Sequence, residues 1–345
     1  MESNIISDYS LDSFIKNSSD DENNNSDKKR NKADNNIGLN DVVNYSEIAK
    51  KYGFKEKNVK TILNKAKNTR SIFLGEYSLN PYLGCSFDCE YCYINGSKYA
   101  DSTNSFYIKS NSIKLLRNQL KQKAKSGERA VFLIGSATDP YIDIEKELFI
   151  TKDILKLFNR FRFPVHIVTK SDLVLRDIDI LREINDNAIL PKDIANLKSK
   201  VMVTFSFSTV DSVIARLFEP NAPSPKRRLE AMKILKEEGF LVGVSVMPML
   251  PYISDNKTAI DEMFAEFKNV GCDYAFYGGL TLFGDTASDS KTKYYKILKE
   301  HFPDIIEPTK KIFGNNDYSS TSYQNKIYKR FADISEKYSI RNKII

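Results

Sequence analysis

An alternation of strand-like and helix-like segments limits the fold of this chain more than any other feature of its sequence. Apolar runs rich in Val, Ile and Phe, bounded by turn residues, are typical of buried strands. Strands that alternate with helices along a chain form parallel sheets with right-handed crossovers. The strand-like runs are Ala130–Ile134, Val165–Val168, Val201–Phe207, Leu241–Val246 and Tyr274–Leu282.

Amphipathic segments that fit helices lie between these runs and just before the first of them. With a further strand at Ser78–Leu83, about six strand–helix units can be counted, enough for an open barrel and too few for a closed one of eight units. We therefore expect an α/β fold with a partial (βα)6 parallel barrel over residues 75–290. The helical candidates are Ile113–Lys125, Lys152–Phe161, Ile178–Ile184, Asp211–Phe218, Pro225–Glu238 and Thr258–Val270.

The segments that flank the barrel differ in composition. Residues 1–44 contain a polar run without aromatic side chains, Asn17–Asn36, which cannot bury enough apolar surface to offset the entropy of ordering, so a disordered tail is expected. Residues 45–74 have apolar side chains at roughly helical intervals around Gly53 and are expected to form a helical extension. The same pattern fits a DNA-reading helix-turn-helix or two short helices packed against the barrel. Residues 291–345 are expected to form a second helical extension.

The overall composition is that of a globular protein, with 41% hydrophobic residues. No segment approaches the roughly 20 apolar residues of a membrane span, and the first ten residues lack the features of a secretory signal, so no membrane partner is expected. Clustered rather than dispersed cysteines favour a reducing, cytoplasmic location. The net charge of +7 is compatible with nucleic-acid contact and equally with a lysine-rich solvated surface.

Three cysteines on one short segment carry the clearest chemical signal. Cys85, Cys89 and Cys92 are separated by three and then two residues. Thiolates spaced this closely favour an iron–sulfur cluster or zinc. Three thiolates on a cubic 4Fe-4S cluster leave one iron open to a substrate or cofactor, whereas zinc would require a fourth Cys or His nearby, and His166 and His301 are distant in sequence.

The cysteine segment resembles that of a known family. C-x3-C-x2-C followed directly by an aromatic residue, Tyr93, after the first barrel strand resembles the radical S-adenosylmethionine (SAM) superfamily. Four motifs more specifically resemble the DNA repair photolyase-like branch related to spore photoproduct lyase, and the resemblance extends from about Thr61 to about Phe283. They are NPYLGCSFDCEYCYI, GSATDPY at 135–141, VTKS at 168–171 and EPNAPSPKRRLEAMKIL at 219–235.

The resemblance implies a shared opening reaction and its cofactors. A 4Fe-4S cluster on Cys85, Cys89 and Cys92 would bind SAM at its open iron, and an electron from a flavodoxin- or ferredoxin-like donor would cleave the SAM carbon–sulfur bond. The resulting 5'-deoxyadenosyl radical would abstract hydrogen from a substrate.

The resemblance also implies SAM contacts on the loops that follow the strands. Tyr93 would lie beside the adenine, the loop after the second strand would hold the amino group, Lys170 the carboxylate, and the fourth strand the ribose. Ordinary packing, a turn at Asp139, a surface position for Lys170 and an ion pair between Glu219 and Arg228 remain open as structural alternatives. The candidate cofactor-binding residues are Tyr93, Ser136, Thr138, Asp139, Lys170, Ser206, Ser208 and Glu219.

One departure from the family pattern concerns the substrate. Spore photoproduct lyase has a hydrogen-donating cysteine in the loop after its second strand, where this chain has residues 135–138, Gly-Ser-Ala-Thr. Cys272 does not match that position. A nucleic-acid lesion or nucleobase is the hypothesis for the substrate. A peptide or small metabolite, and a cluster-containing DNA-binding regulator without enzymatic activity, are the alternatives.

Overall fold

The structure is a computed structural model that describes residues 45–66, 72–100 and 105–345. Two sheets are found in this part of the chain, one of seven strands and one of three. The strands are β1 (Phe54–Lys57), β2 (Asn64–Lys65), β3 (Tyr77–Leu79), β4 (Tyr82–Leu83), β5 (Phe106–Lys109), β6 (Phe132–Ile134), β7 (Val165–Thr169), β8 (Val201–Phe207), β9 (Leu241–Val246) and β10 (Tyr274–Tyr277).

Helices connect the strands of the larger sheet and follow its last strand. The helices are α1 (Tyr45–Lys51), α2 (Ser112–Lys125), α3 (Glu145–Leu148), α4 (Ile150–Phe161), α5 (Ile178–Asn187), α6 (Ser212–Phe218), α7 (Pro225–Glu237), α8 (Lys257–Asn269), α9 (Ser290–His301), α10 (Ile306–Phe313) and α11 (Thr321–Lys337). In the described ranges, no helix has the length and apolar character needed to cross a membrane.

The larger sheet is the expected partial barrel. Its strand order is β10-β9-β8-β7-β6-β3-β2. The six strands from β3 to β10 in this order are mutually parallel, and β2 adds an antiparallel edge. Because parallel strands separated by helices require crossovers, the chain winds six strand–helix units in sequence order. The predicted (βα)6 architecture is therefore confirmed.

The two faces of this sheet carry separate cores. Outward-facing side chains such as Phe207 pack against the helices, with the Phe207 and Phe267 ring centroids 5.4 Å apart. Inward-facing side chains form a second core that includes Val168, Met202 and Tyr274 and receives no side chain from the crossover helices. This core lines the barrel interior along the strands. In parallel α/β barrels the functional end, here called the open end, is formed by the carboxyl ends of the strands.

A buried hydrogen-bonded row crosses this interior. The Nε2 atom of His166 lies 2.6 Å from Thr204 Oγ1, which lies 2.7 Å from the Tyr274 hydroxyl, and His166 Nδ1 lies 3.1 Å from the Leu74 carbonyl oxygen. Gly243 admits the Tyr274 ring, because a Cβ atom there would lie 2.1 Å from it. Burial lowers the pKa of His166 to about 4, so the imidazole is neutral at physiological pH.

We expect this neutral histidine to make the fold acid-sensitive. The unfolded chain binds a proton on His166 near pH 6.5, whereas the folded protein does not until about pH 4. The free energy of unfolding therefore falls by roughly 3 kcal/mol between pH 7 and pH 4 on account of this group. Denaturant unfolding of the wild type and of His166→Gln should show a stability difference that narrows by that amount over this range. A constant difference would contradict the assignment.

The segment before the barrel differs from the expected helical extension. Among the described residues of the predicted helical extension (45–66 and 72–74), the one α-helix is α1, and the helix-turn-helix interpretation is wrong. Gly53 has a φ of +71°, a left-handed conformation that ends α1, and Phe54 then begins β1. β1 pairs with β5 and β5 with β4, forming a three-stranded sheet in which the Phe54 and Phe106 rings stack 5.2 Å apart.

The predicted disordered tail, residues 1–44, lies outside the described residues. Beyond β10, α9 packs against α6, and α11 packs against α8 and β10. The predicted strand over 274–282 ends at Tyr277, where Gly278 and Gly279 begin the loop that leads to α9.

Candidate functional site

The three clustered cysteines lie on a tight loop that follows β4. Gly84 opens this loop at a φ of +78°, and a Cβ atom there would lie 2.4 Å from the Phe106 ring. The backbone then curls back on itself, because the Cys92 amide donates to the Cys89 carbonyl at 2.9 Å. A bond of 2.9 Å from the Glu90 amide to the Phe218 carbonyl fixes the loop to the end of α6. The loop is therefore a defined structural element with three thiols.

The thiols are shielded from solvent and electrostatically coupled. Cys89 is buried, and Cys85 and Cys92 are partly buried. Burial is the main cause that raises the pKa of all three thiols, that of Cys89 to about 12, and neighbouring cysteines of the loop add to the effect at Cys85 and Cys89. Metal binding would displace these protons, because only the thiolate is a ligand.

The donor set fits an iron–sulfur cube. Across the described ranges, no three His, Cys, Asp or Glu side chains form a group that could hold a metal ion. A cube binds each thiolate at a different iron, so its ligands need not converge on one point. Ser86 also has a buried hydroxyl without a hydrogen-bond partner among the described residues. A buried polar atom of this kind next to Cys85 is compatible with a polar group bound at the loop.

Asn80, between β3 and β4, holds the loop after β6, and that loop contacts the start of the cysteine loop. Its Oδ1 accepts from the amides of Ala137 at 3.0 Å and Thr138 at 3.3 Å, and its Nδ2 donates to Ser136 Oγ at 3.2 Å. The Thr138 hydroxyl donates to the Gly84 carbonyl at 3.1 Å. The Tyr93 hydroxyl donates to the Ser136 carbonyl at 3.2 Å. The structure therefore brings Tyr93, Ser136 and Thr138 together beside the cysteines.

Asp139 connects the loop after β6 to the end of β7. Its carboxylate accepts hydrogen bonds from the amide of Tyr141 at 2.9 Å, the Thr169 hydroxyl at 2.8 Å and the Lys170 amide at 2.6 Å. Burial raises the pKa of Asp139, and these hydrogen bonds oppose that rise. The structure supports the turn at Asp139. The same carboxylate also joins the loop after β6 to the end of β7, and so it positions the backbone of Lys170.

Lys170 points toward the cysteine loop and not into open solvent. Its ammonium lies 5.7 Å from the centre of the Tyr91 ring. Burial alone would lower the pKa of Lys170, but the neighbouring Cys89 and Glu219 outweigh burial and raise it. The side chain therefore carries a positive charge next to the thiols. The surface alternative for Lys170 does not hold.

Glu219 is the centre of a buried polar cluster at the same end of the barrel. Its carboxylate accepts from the Tyr91 hydroxyl, from Arg228 Nη2 and, at 2.8 Å, from the Ser208 hydroxyl. Burial would raise the pKa of Glu219, but Arg228 and Lys170 lower it below its usual value, so the group is ionised. Both members of the Glu219–Arg228 ion pair are 1% exposed.

The two candidate serines of the fourth barrel strand differ in their surroundings. Ser206 continues the inward face of β8 and is the register partner of Ser245 on β9. The Ser245 hydroxyl is buried without a partner in the described part of the chain. Ser208 instead donates to Glu219, so its hydroxyl supports the ion pair. In the described part of the chain, Ser245 therefore offers the barrel interior a hydroxyl that is available for a hydrogen bond. This residue was not predicted from the sequence.

Two further residues of the site could not be selected from sequence alone. Asn80 and Tyr91 act through contacts with residues 56 and 128 positions away. A polar side chain directly after a strand was the one available signal for Asn80. Cys272, in contrast, lies two residues before β10, at the end of the barrel where the strands begin and opposite the cysteine loop.

Comparisons with known proteins agree with this geometry. Residues 79–265 match the family model of the radical SAM superfamily, and they include the cysteine loop and strands β6 to β9. An uncharacterized protein of Mycobacterium tuberculosis is 25% identical over 295 residues, covering 83% of this chain and 81% of its own length. An uncharacterized protein of Methanocaldococcus jannaschii is 28% identical over 209 residues, covering 59% of this chain and 72% of its own length.

Solved structures share the fold. A spore photoproduct lyase variant aligns with a TM-score of 0.60 at 16% identity, covering 82% of this chain and 78% of that one. Another variant with bound AdoMet and dinucleoside spore photoproduct aligns with a TM-score of 0.58 at 17% identity over the same shares. The family match spans more than half of the 345 residues and contains all three clustered cysteines, so this chain belongs to the radical SAM superfamily of enzymes.

Proposed function

We propose that this protein binds a 4Fe-4S cluster through Cys85, Cys89 and Cys92, cleaves SAM reductively beside it, and directs the resulting radical at a nucleic-acid substrate. The single observation that supports this most strongly is the set of three shielded thiols next to a charged lysine at the open end of the barrel. Cluster and SAM would supply a reducing electron and a 5'-deoxyadenosyl radical.

The residues of this chain would orient the cofactor and keep water away from it. The Lys170 ammonium is held charged and offers an ion-pair partner to a carboxylate such as that of the methionine moiety. Asp139 fixes the backbone of Lys170, Asn80 holds the loop after β6, and the Thr138 hydroxyl joins that loop to Gly84 at the start of the cysteine loop. The inner core below the site excludes water, which strengthens each of these charge interactions.

Glu219 would act mainly through its neighbours. Its carboxylate is committed to Arg228, Tyr91 and Ser208, and so it fixes the phenol that lies under Lys170. In this proposal Glu219 and Ser208 are positioning residues. The Ser206 and Ser245 positions, paired across β8 and β9, face the interior and would contact the ribose or the substrate.

Two observations support a nucleic-acid substrate, and one feature of the chain departs from spore photoproduct lyase. The fold likeness includes a spore photoproduct lyase complexed with dinucleoside spore photoproduct, and the net charge is +7. A base in a duplex would have to be turned out of the stack to reach the barrel. Residues 135–138 lack a thiol, and Cys272 lies at the opposite end of the barrel, so neither supplies a hydrogen-donating cysteine. The reaction would therefore differ from thymine-dimer repair in its final hydrogen source.

Anaerobic reconstitution tests the opening reaction. We expect the full chain, reconstituted with iron and sulfide and reduced with dithionite, to convert SAM to methionine and 5'-deoxyadenosine. Product analysis by chromatography provides the measurement, with the protein lacking iron as the control. Stable iron loading without any 5'-deoxyadenosine would favour the cluster-containing DNA-binding regulator over the enzyme.

Oligonucleotide binding tests the substrate class. We expect tighter binding to lesion-containing DNA than to matched undamaged DNA, with affinity that falls as salt rises. Equal, weak binding to both would favour a peptide or small-metabolite substrate.

A further inference from the structure

One face of the three-stranded sheet presents basic and aromatic side chains. Side chains alternate along a strand, and Phe54 packs in the core, so Lys55 and Lys57 cannot both follow it inward and share the other face of β1. Tyr107 and Lys109 on β5 are their register partners and lie on that same face. Lys55 and Lys57 are exposed, and Tyr107 is half-buried. We call the set of Lys55, Lys57, Tyr107 and Lys109 the basic face.

Two ammonium groups of the basic face lie near its aromatic ring. The Nζ atoms of Lys57 and Lys55 are 5.3 and 5.9 Å from the centre of the Tyr107 ring. Lys55 Nζ also donates to a serine hydroxyl at 2.9 Å. Glu56 faces the opposite side of β1, and its carboxylate accepts from two serine hydroxyls at 2.8 Å each. Among the described residues, no carboxylate therefore pairs with the lysines of the basic face.

Lys109 is a buried cation. It is 9% exposed, and its ammonium donates to the Asn80 carbonyl oxygen at 2.7 Å. Burial and the nearby Lys57 lower the pKa of Lys109 to about 8, so it still carries its charge at neutral pH. Like charges side by side on neighbouring strands repel, and a buried ammonium loses hydration. A bound anion such as a phosphate group would offset both costs.

The basic face adjoins the cysteine loop. β4 runs directly into this loop, and Leu83 of β4 is the register partner of Tyr107. Lys109 binds the backbone of Asn80, whose side chain holds the loop after β6. A chain molecule lying on the basic face would therefore pass beside the loop that carries the three cysteines.

Single-stranded nucleic acid has the chemistry that such a face recognises. Proteins bind it with cations that follow the backbone and with aromatic side chains on which bases stack. Lys55 and Lys57, two positions apart, are separated by about 6.6 Å along β1. Tyr107 provides a ring beside both of them. An acidic protein would use the lysines but would not require the ring.

We propose that the basic face binds single-stranded DNA, with its lysines on phosphate groups and Tyr107 stacked on a base. The inference rests on the proposed function, in which a base is turned out of a duplex toward the barrel. The basic face would hold the unpaired strand next to that base.

Anisotropy of a labelled single-stranded oligothymidine, measured with the reconstituted protein across salt concentrations, tests the charges. Each lysine on a phosphate contributes roughly 0.7 to the slope of log affinity against log salt for a single strand. We expect the double variant Lys55→Gln, Lys57→Gln to lower that slope by about 1.4 and to weaken binding at low salt by more than about tenfold. The matched control, Lys326→Gln with Lys329→Gln, neutralises two exposed lysines of α11 and should leave slope and affinity unchanged.

Substitution of Tyr107 tests the stacking. We expect Tyr107→Leu to weaken DNA binding by about fivefold or more at low and at high salt, because stacking is not screened. Tyr107→Phe keeps the ring and should retain the wild-type affinity to within about twofold.

Four results would overturn the proposal. They are a wild-type salt slope in the lysine variant, an unchanged affinity in Tyr107→Leu, competition by oligoglutamate as effective as that by DNA of equal charge, and binding confined to RNA of the same sequence. Dithionite-driven 5'-deoxyadenosine formation without DNA should be unchanged in the lysine variant. DNA binding through these residues in a protein that forms no 5'-deoxyadenosine would refute the proposed function and leave the basic face standing.

Discussion

Replacing Arg228 with Met is expected to destabilise the folded protein by about 3–5 kcal/mol, because it leaves the Glu219 carboxylate buried without its counter-charge. Both side chains of this pair are 1% exposed. Arg228 also donates to the Pro223 carbonyl at 2.8 Å and the Ser206 carbonyl at 2.9 Å, and both acceptors would lose their donor. Denaturant unfolding at neutral pH measures the loss.

The loss of stability caused by Arg228→Met should depend on pH. In the wild type, Arg228 and Lys170 hold the pKa of Glu219 low against the effect of burial. The ion pair therefore stabilises the folded protein at pH values above the pKa of the carboxyl in the unfolded chain. This stabilisation is lost as the pH falls through the lower pKa of the folded protein. Without Arg228, burial raises that pKa and the carboxyl becomes neutral more readily. We therefore expect the difference between variant and wild type to begin to shrink at a pH above the ordinary glutamate pKa of about 4.3, and to go on shrinking until the pH reaches the lowered wild-type pKa.

Two further variants separate the charge effect from simple loss of packing. The double variant Glu219→Gln, Arg228→Met should recover a substantial part of the stability, since no unpaired charge remains. Arg182→Met breaks the exposed pair with Glu238 and should cost far less. If Arg228→Met and Arg182→Met have similar effects, the buried cluster does not stabilise the site as described.

Cys89→Ala is expected to abolish stable cluster binding. Two thiolates would remain for a cube that needs three protein ligands. Loss of a hydrogen-bond partner of a metal ligand lowers metal affinity by roughly 10–100-fold, and loss of the ligand itself should lower the affinity for the cluster by more than that. Iron and sulfide analysis after anaerobic reconstitution measures this. Cys85→Ala and Cys92→Ala should behave in the same way.

Cys272→Ala is the matched control for these variants. Cys272 is also buried, and its thiol donates to the Tyr274 carbonyl at 3.1 Å, at the far end of the barrel. We expect it to retain a full iron complement. A Cys89→Ala protein that still binds four irons, or a Cys272→Ala protein that loses them, would contradict the ligand assignment.

The fold could be predicted from sequence wherever local apolar runs coincide with strands. β8 and β9 begin and end at the residues predicted for them, since both faces of these strands are buried and the runs are continuous. The small sheet of β1, β4 and β5 could not be predicted, because strands of two to four residues carry little pattern and pair with partners about 25–50 residues away. The helical expectation at 45–74 failed at Gly53, whose left-handed backbone is invisible to periodicity.

The site could be predicted in its chemistry more than in its contacts. Cysteine spacing and the positions of polar residues after strands located the cysteine loop, Asp139 and Lys170. Whether Glu219 and Arg228 bind a ligand or each other depends on packing between the end of α6 and α7, and the structure pairs them with each other. Tyr91 was missed because its partner lies 128 residues away, beyond any local signal.

Electron paramagnetic resonance of the reduced, reconstituted protein tests the central claim most directly. Because three cysteines leave one iron of a cube without a protein ligand, addition of SAM should change the signal of the 1+ cluster. SAM labelled with ¹⁷O in its carboxylate should show hyperfine coupling to that cluster. An unchanged signal and no coupling in protein with a full four-iron complement, or zinc in place of iron in anaerobically purified protein, would contradict the claim.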